Sequence, residues 1–289
     1  MIPGSFEYHA PTSLSDALSM LRQYGDEAKL LAGGHSLLPM MKMRFAEPAH
    51  LIDLNRIDDL RGVREADGVI HIGAMTTEVA LLGSEVLRRS CPLLPEAVRN
   101  ISDPQVRNCG TIGGDIAHGD PANDHPALMI ACGATFVLTG PNGERTVPAS
   151  EFFLGTFWTA LEADEILTEI RIPAFAPHTG YAYQKLKRKQ GDWATAGAAV
   201  VLQLDGGRCV LARIGLTNVA PQAVVAEEAA QLLTGQVIDD ALVGAAAEKA
   251  MAACSPAEDL RGNEEYKTQM AGEMTRRAIQ HALERARGQ

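Results

Sequence analysis

Two stretches of this chain pair glycines with small polar side chains: Ala32-Gly33-Gly34-His35-Ser36 and Thr111-Ile112-Gly113-Gly114-Asp115. Glycine lets a backbone come close to a bulky anion and takes positive φ at no steric cost. Each stretch could therefore present N–H groups to a phosphate. Placed one after each of two strand-like runs, they read as two halves of a cradle for one dinucleotide pyrophosphate. Neither holds Lys or Arg, so peptide dipoles and helix N-termini would have to meet the negative charge. Ser36 suits an N-cap that also donates to phosphate. Directly after the second stretch comes the densest polar constellation, His118-Gly119-Asp120-Pro121-Ala122-Asn123-Asp124-His125. Its side chains could accept from ribose or ribityl hydroxyls, or cap their own turn. They could also bind a metal, making the chain a metal-dependent hydrolase that uses His118, Asp120, Asp124 and His125. The first two readings fit the loop equally, whereas the third lacks the helical spacing of an H-E-x-x-H site. Trp193 is either core packing or a ring lying against a planar cofactor. No G-x-S-x-G, G-x-G-x-x-G or G-x-x-x-x-G-K-[ST] motif of the expected context is present, which removes serine-hydrolase, Rossmann and P-loop readings.

The elements that must position these residues follow from periodicity and punctuation. Ser13 and Asp16 open a helix whose Leu14, Ala17, Leu18 and Leu21 share one face, and Gly25 stands where a C-cap belongs. Residues 29–32 read as a strand entering the first glycine turn, residues 37–42 as a helix, and residues 50–54 as a second strand. Further on, 69–73 is a strand, 78–87 and 95–101 are helical, and strands at 135–138 and 145–147 flank a Pro141-Asn142-Gly143 turn. A strand at 165–172 ends at Pro173, and the Pro/Gly-containing run 175–180 marks a boundary. Beyond it come strands at 181–187, 196–204 and 208–216, then helices at 223–233, 239–254 and 263–287. The fold class is α+β in three pieces, 1–57, 58–176 and 177–289.

With 289 residues, 46% hydrophobic, 21% charged and a net charge of −10, the chain has ordinary globular composition and does not look built for nucleic acid. The basic run at 185–189 holds four charges and is followed by Asp192, which reads as a solvated strand edge. The longest apolar run, 127–138, is broken by Gly133 and too short for a membrane span. The N-terminus lacks the basic and apolar regions of a signal peptide. Five cysteines without C-x-x-C spacing predict buried, reduced thiols in a reducing compartment, with no zinc or iron–sulfur site on this chain.

AGGHSLLPMMKMR at 32–44, GTIGGDIAHGDPAND at 110–124 and GYAYQKLKRKQGDWATAGAAVVL at 180–202 resemble the FAD-binding medium subunits of the molybdenum hydroxylases. The likeness runs nearly the whole chain and is strongest to the aerobic carbon monoxide dehydrogenase branch. It implies a vanillyl-alcohol-oxidase-type (PCMH-type) fold: two subdomains clasping FAD, then an α+β C-terminal domain of the CO dehydrogenase flavoprotein type. It places Ala32, Gly33, Gly34, His35 and Ser36 with Thr111, Ile112, Gly113, Gly114 and Asp115 on the pyrophosphate. It places Asp124 on a flavin hydroxyl, Lys185 near the flavin, and Trp193 beside the ring where close relatives often carry Tyr. No side chain of this chain is implied in acid–base catalysis, and no metal is expected on it. Partners would be a large molybdenum-cofactor subunit and a small subunit with [2Fe–2S] clusters, assembled as a dimer of heterotrimers. Electrons would pass from molybdenum through the clusters to FAD, and on to a quinone or another acceptor. A cytoplasmic location follows, with association at the inner face of the cytoplasmic membrane as a variant. Medium subunits of N-heterocycle or aldehyde hydroxylases are similar enough to stand as the alternative within the family, and a flavin-free scaffold as one outside it.

Overall fold

The computed structural model describes residues 2–288. β1 (Glu7–His9), β2 (Ala28–Leu31) and β3 (His50–Asp53) form a parallel sheet in the order β1-β3-β2. α1 (Leu14–Tyr24) carries the chain from β1 across to β2 on the far side of β3, and α2 (Leu37–Lys42) lies in the crossover that the parallel neighbours β2 and β3 need. The Ser13 hydroxyl accepts from the Asp16 N–H at 3.1 Å, and Gly25 closes the helix at φ 52°. Ala17 and Leu21 on its buried face join Ile52 and Leu54 in a small core.

The middle region is an antiparallel sheet of β4 (Val63–Ala66), β5 (Val69–Gly73), β6 (Thr135–Gly140), β7 (Gly143–Pro148) and β10 (Ile166–Pro173), ordered β4-β5-β10-β6-β7. Six short helices fill the excursion from β5 to β6: α3 (Glu78–Gly83), α4 (Glu85–Ser90), α5 (Leu93–Val98), α6 (Pro104–Cys109), α7 (Ile112–His118) and α8 (His125–Cys132). α9 (Ala149–Phe152) and the small pair β8 (Phe153–Gly155) and β9 (Trp158–Thr159) precede β10. The C-terminal sheet, β11 (Thr179–Leu186), β12 (Ala196–Asp205), β13 (Arg208–Thr217) and β14 (Val224–Val225), is antiparallel. α10 (Glu227–Leu233), α11 (Asp240–Ala252) and α12 (Glu264–Arg287) follow it.

Alternation along β12 joins the two larger cores. Ala198, Val200 and Leu202 pack with the C-terminal helices, while Ala199 and Val201 face the middle region, as a two-sided buried strand must. Three expectations change. The helix at 78–87 is two helices, broken at Ser84, whose hydroxyl caps the second by accepting from the Leu87 N–H at 3.3 Å. The second glycine pair lies within α7, not in a turn, and follows helix α6, not a strand. The basic run is a solvated edge only in its second half: Arg188 and Lys189 are exposed, whereas the Lys185 side chain is buried and Lys187 donates to the Asn100 Oδ1 at 3.3 Å. β1, β4, β8, β9 and β14, none above four residues, were too short for a two-residue period to declare them. Cys91, Cys132 and Cys209 are buried free thiols as expected, but Cys109 is exposed. Among the described residues no helix is long and apolar enough to cross a membrane.

Candidate cofactor site

The three regions meet around a cavity of about 740 Å³, within the range that small-molecule and cofactor sites occupy. Twelve of the thirteen residues singled out from sequence line it: Ala32, Gly33, Gly34, His35, Ser36, Thr111, Gly113, Gly114, Asp115, Asp124, Lys185 and Trp193. Ile112 does not; it is fully buried in the core.

The two glycine stretches do different work. In the first, the chain leaves β2, turns with Gly34 at φ 73° and enters α2. Among the described residues, the backbone N–H groups of Gly33, Gly34, His35, Ser36 and Leu37 have no protein acceptor. A run of free amides ending at a helix start is a site for an anion. Its shape is held from behind: the Asn55 Nδ2 donates to the Ala32 carbonyl at 2.9 Å, and Arg61 donates to the Asn55 Oδ1 at 3.0 Å.

The second stretch has spent four of its five amides, all but that of Thr111. Ile112 donates to the Thr76 carbonyl at 3.1 Å, Gly113 to the Ala74 carbonyl at 2.9 Å, Gly114 to the Thr111 hydroxyl at 3.2 Å and Asp115 to the Thr111 carbonyl at 3.0 Å. Its glycines instead permit close packing. A Cβ on Gly113 would stand 2.5 Å from the Ala74 Cβ, and one on Gly114 would stand 3.1 Å from the Ala32 Cβ, which belongs to the first stretch. Gly33 is the reciprocal contact, since a Cβ there would lie 2.7 Å from the Gly110 Cα. The stretches are thus interlocked, with the first carrying the donors and the second backing it.

The carboxylates divide in a similar way. Asp124 is buried and has a donor on each oxygen: Lys185 donates to one at 2.7 Å, and the Tyr183 hydroxyl donates to the other. Burial and the Asp124 charge hold the Tyr183 proton on, raising its pKa well above that of a free phenol. Asp115 is different. Its Oδ2 is shielded and has no partner, although the residue borders the cavity. Burial, reinforced by Glu78, Asp124 and Asp120 against the opposing His125, pushes its pKa to about 7. An acceptor left unmatched in a low-dielectric site is costly, and a ligand hydroxyl would satisfy it. His125 is fully buried, with its Nε2 at 2.9 Å and 3.0 Å from the Glu78 oxygens. Burial alone would lower its pKa, but the Glu78 charge and hydrogen bond outweigh that and raise it to about 9. Sequence reasoning missed Glu78 and Tyr183 because each meets its partner only through the fold, 47 and 59 residues away. It also missed Phe157 and Trp158, exposed aromatics that line the cavity as Trp193 does.

The hydrolase reading fails on geometry. His118 packs against the Phe157 ring and burial lowers its pKa, while His125 is committed to Glu78. Among the described residues, the one group of His, Cys, Asp and Glu side chains close enough to share a cation is Glu7, His9 and His50.

A dinucleotide fits what is present: free amides for a pyrophosphate, an orphaned carboxylate oxygen for a hydroxyl, and aromatic surface for a ring system. Comparison with known proteins agrees. Residues 4–175 match the FAD binding domain in molybdopterin dehydrogenase, and residues 181–282 match the CO dehydrogenase flavoprotein C-terminal domain. The carbon monoxide dehydrogenase medium chain of Hydrogenophaga pseudoflava is 60% identical over 285 residues, covering 99% of both chains. That of Afipia carboxidovorans is 53% identical over 287 residues, covering 99% of this chain and 100% of the relative. In the solved carbon monoxide dehydrogenase from Hydrogenophaga pseudoflava that lacks the Mo-pyranopterin moiety, one chain superposes with a TM-score of 0.98 at 61% identity, with 99% of each covered.

Proposed function

Because the chain belongs to the FAD-binding subunits of the molybdopterin dehydrogenases, we propose that it is the FAD-carrying medium subunit of a carbon monoxide dehydrogenase. The observation that carries this reading is the cavity where all three regions converge, lined by the free amides of residues 33–37 and the unpartnered Asp115 oxygen. Full-length similarity to two such medium chains supports the substrate. The overall reaction, CO + H2O giving CO2, two protons and two electrons, belongs to the large partner subunit with its molybdenum cofactor. A small iron–sulfur subunit connects the two.

Bound FAD supplies a carrier able to exchange one or two electrons, which lets single-electron clusters serve a two-electron acceptor. This chain's own residues bind and orient. The amides of Gly33, Gly34, His35 and Ser36 receive the pyrophosphate, Gly114 backs that loop through Ala32, and Gly113 seats the second stretch against Ala74. Thr111, through its cap on α7, and Ile112, through its core packing, fix the second stretch from behind. Asp115 accepts a ligand hydroxyl. Asp124 reaches the flavin region through Lys185, which it pins at the cavity wall, and Trp193 covers the ring at the opening. The acceptor is a quinone or similar carrier, and the assembly is a dimer of heterotrimers in the cytoplasm, with docking at the inner membrane face as a variant.

Cofactor content of the complex that co-purifies with the chain tests this. About one flavin per chain is expected, with iron and molybdenum on separate subunits and CO-dependent reduction of an artificial acceptor. A complex without flavin would overturn the cofactor reading, and one that oxidises an N-heterocycle but not CO would overturn the substrate.

A further inference from the structure

The parallel register of β1 and β3 builds a second donor cluster at the sheet edge. Glu7 and His9 are two apart on β1 and so point to the same face, and the register partner of Glu7 on β3 is His50. Three ligand-bearing side chains are thereby brought to one spot by strand geometry alone. The His9 Nε2 lies 3.1 Å from the His50 Nδ1, and the Glu7 Oε2 lies 3.6 Å from the same His50 nitrogen. All three donor atoms fall within 4.8 Å of one another. Ligands at about 2.0–2.1 Å around a tetrahedral cation are separated by about 3.3 Å, and the two shortest separations bracket that value.

Both imidazoles are also held in orientation. The Tyr24 ring, at the end of α1, stacks on His50 with centroids 3.8 Å apart and 15° between planes, and on His9 at 4.9 Å and 24°. Neither ring can swing away without losing that contact, so much of the ordering cost of a chelate is already met by folding. Two imidazole nitrogens face each other, where one shared proton is the only alternative to a common cation.

We propose that Glu7, His9 and His50 form a binding site for one divalent transition cation of the zinc class. Two imidazoles and one carboxylate, with no thiolate, select borderline cations such as Zn²⁺ over Mg²⁺ or Ca²⁺. Glu7 is exposed, so the fourth position opens to water, and the cation staples β1 to β3, the strand whose other neighbour, β2, enters the first glycine turn. Binding to the folded chain alone raises its stability by mass action.

The test uses the tag-free, full-length chain, stripped with chelator and titrated with ZnCl2 by calorimetry, with CoCl2 as a spectroscopic probe. One saturable Zn²⁺ per chain is expected, with visible d–d bands for Co²⁺ and a melting temperature that rises with Zn²⁺ and not with Mg²⁺. Loss of an outer partner alone weakens metal sites roughly 10- to 100-fold, so His9→Gln and His50→Gln should lose at least the lower figure. His281→Gln should lose nothing. Glu7→Gln, at an exposed position that folding does not need, should weaken binding and alter the Co²⁺ bands. Absence of a one-per-chain event overturns the site, as does binding indifferent to His9→Gln and Glu7→Gln.

Discussion

Gly33 illustrates how a single residue's role can be foreseen while its reason is not. The sequence suggests that glycine is required so that phosphate can approach, yet a Cβ there would collide with the Cys109–Gly110 backbone instead. Gly33→Val should therefore part the two stretches and abolish flavin retention, read as the flavin-to-protein absorbance ratio after gel filtration. Asp115 and His125 give a pH prediction. Both pKa values are raised in the folded chain, Asp115 to about 7 and His125 to about 9. A raised pKa stabilises below the unfolded value and is lost as pH rises through the folded one. Asp115 thus withdraws stability between about pH 4 and 7, and His125 between about pH 6.5 and 9. The melting temperature of the flavin-free chain should fall across both windows. Asp115→Asn should flatten the lower one and draw in the upper end of the other, since the Asp115 charge helps to raise His125, and a profile unchanged by that substitution would contradict the assignment.

Helix α12 and strand β11 show what the sequence reveals about elements. The apolar spacing of Met270, Met274 and Ala278 marks one face of the helix, and Ala271, Met274, Ala278 and Ala282 are indeed in the C-terminal core. What covers that face was not legible. β11 lies so close that a Cβ on Gly180 would stand 2.7 Å from the Ala286 nitrogen. Gly180→Ala has no room to relax, because the obstacle is helix backbone. It should destabilise the fold by about 3 kcal/mol or more, measured as a lowered denaturation midpoint with an unchanged m-value. Long amphipathic elements such as α1 and α12 were readable because burial of one face imposes a helical period. The glycines at 113 and 114 were not recognised as helical, since their low propensity points to a turn and only the Thr111 cap and tertiary contacts override it.

At the scale of the molecule, the cavity exists because three regions close on it. The Lys185–Asp124 pair joins β11 to the start of α8, with side chains only 3% and 6% exposed. Breaking one half of a buried pair strands the other charge and costs about 3–5 kcal/mol. Lys185→Met should accordingly lower stability and loosen flavin together, and Lys185→Met with Asp124→Asn should recover part of the stability. Measurement of unfolding free energy in both single variants and in the double variant checks this; a double-variant loss equal to the sum of the two single losses would show that the pair is not coupled.

The sequence by itself determined the α+β class, the long periodic elements, the two glycine stretches and twelve of the residues that border the cavity. Those signals are local: a cap three residues from its partner, a repeating apolar face, a motif held within fifteen residues. Tertiary structure decided which stretch keeps free amides, which carboxylate is left unmatched, and that Glu7, His9 and His50 meet at all. Each of those depends on partners brought from distant parts of the chain, and hydrogen bonding and burial act through space without leaving a spacing in the sequence to read.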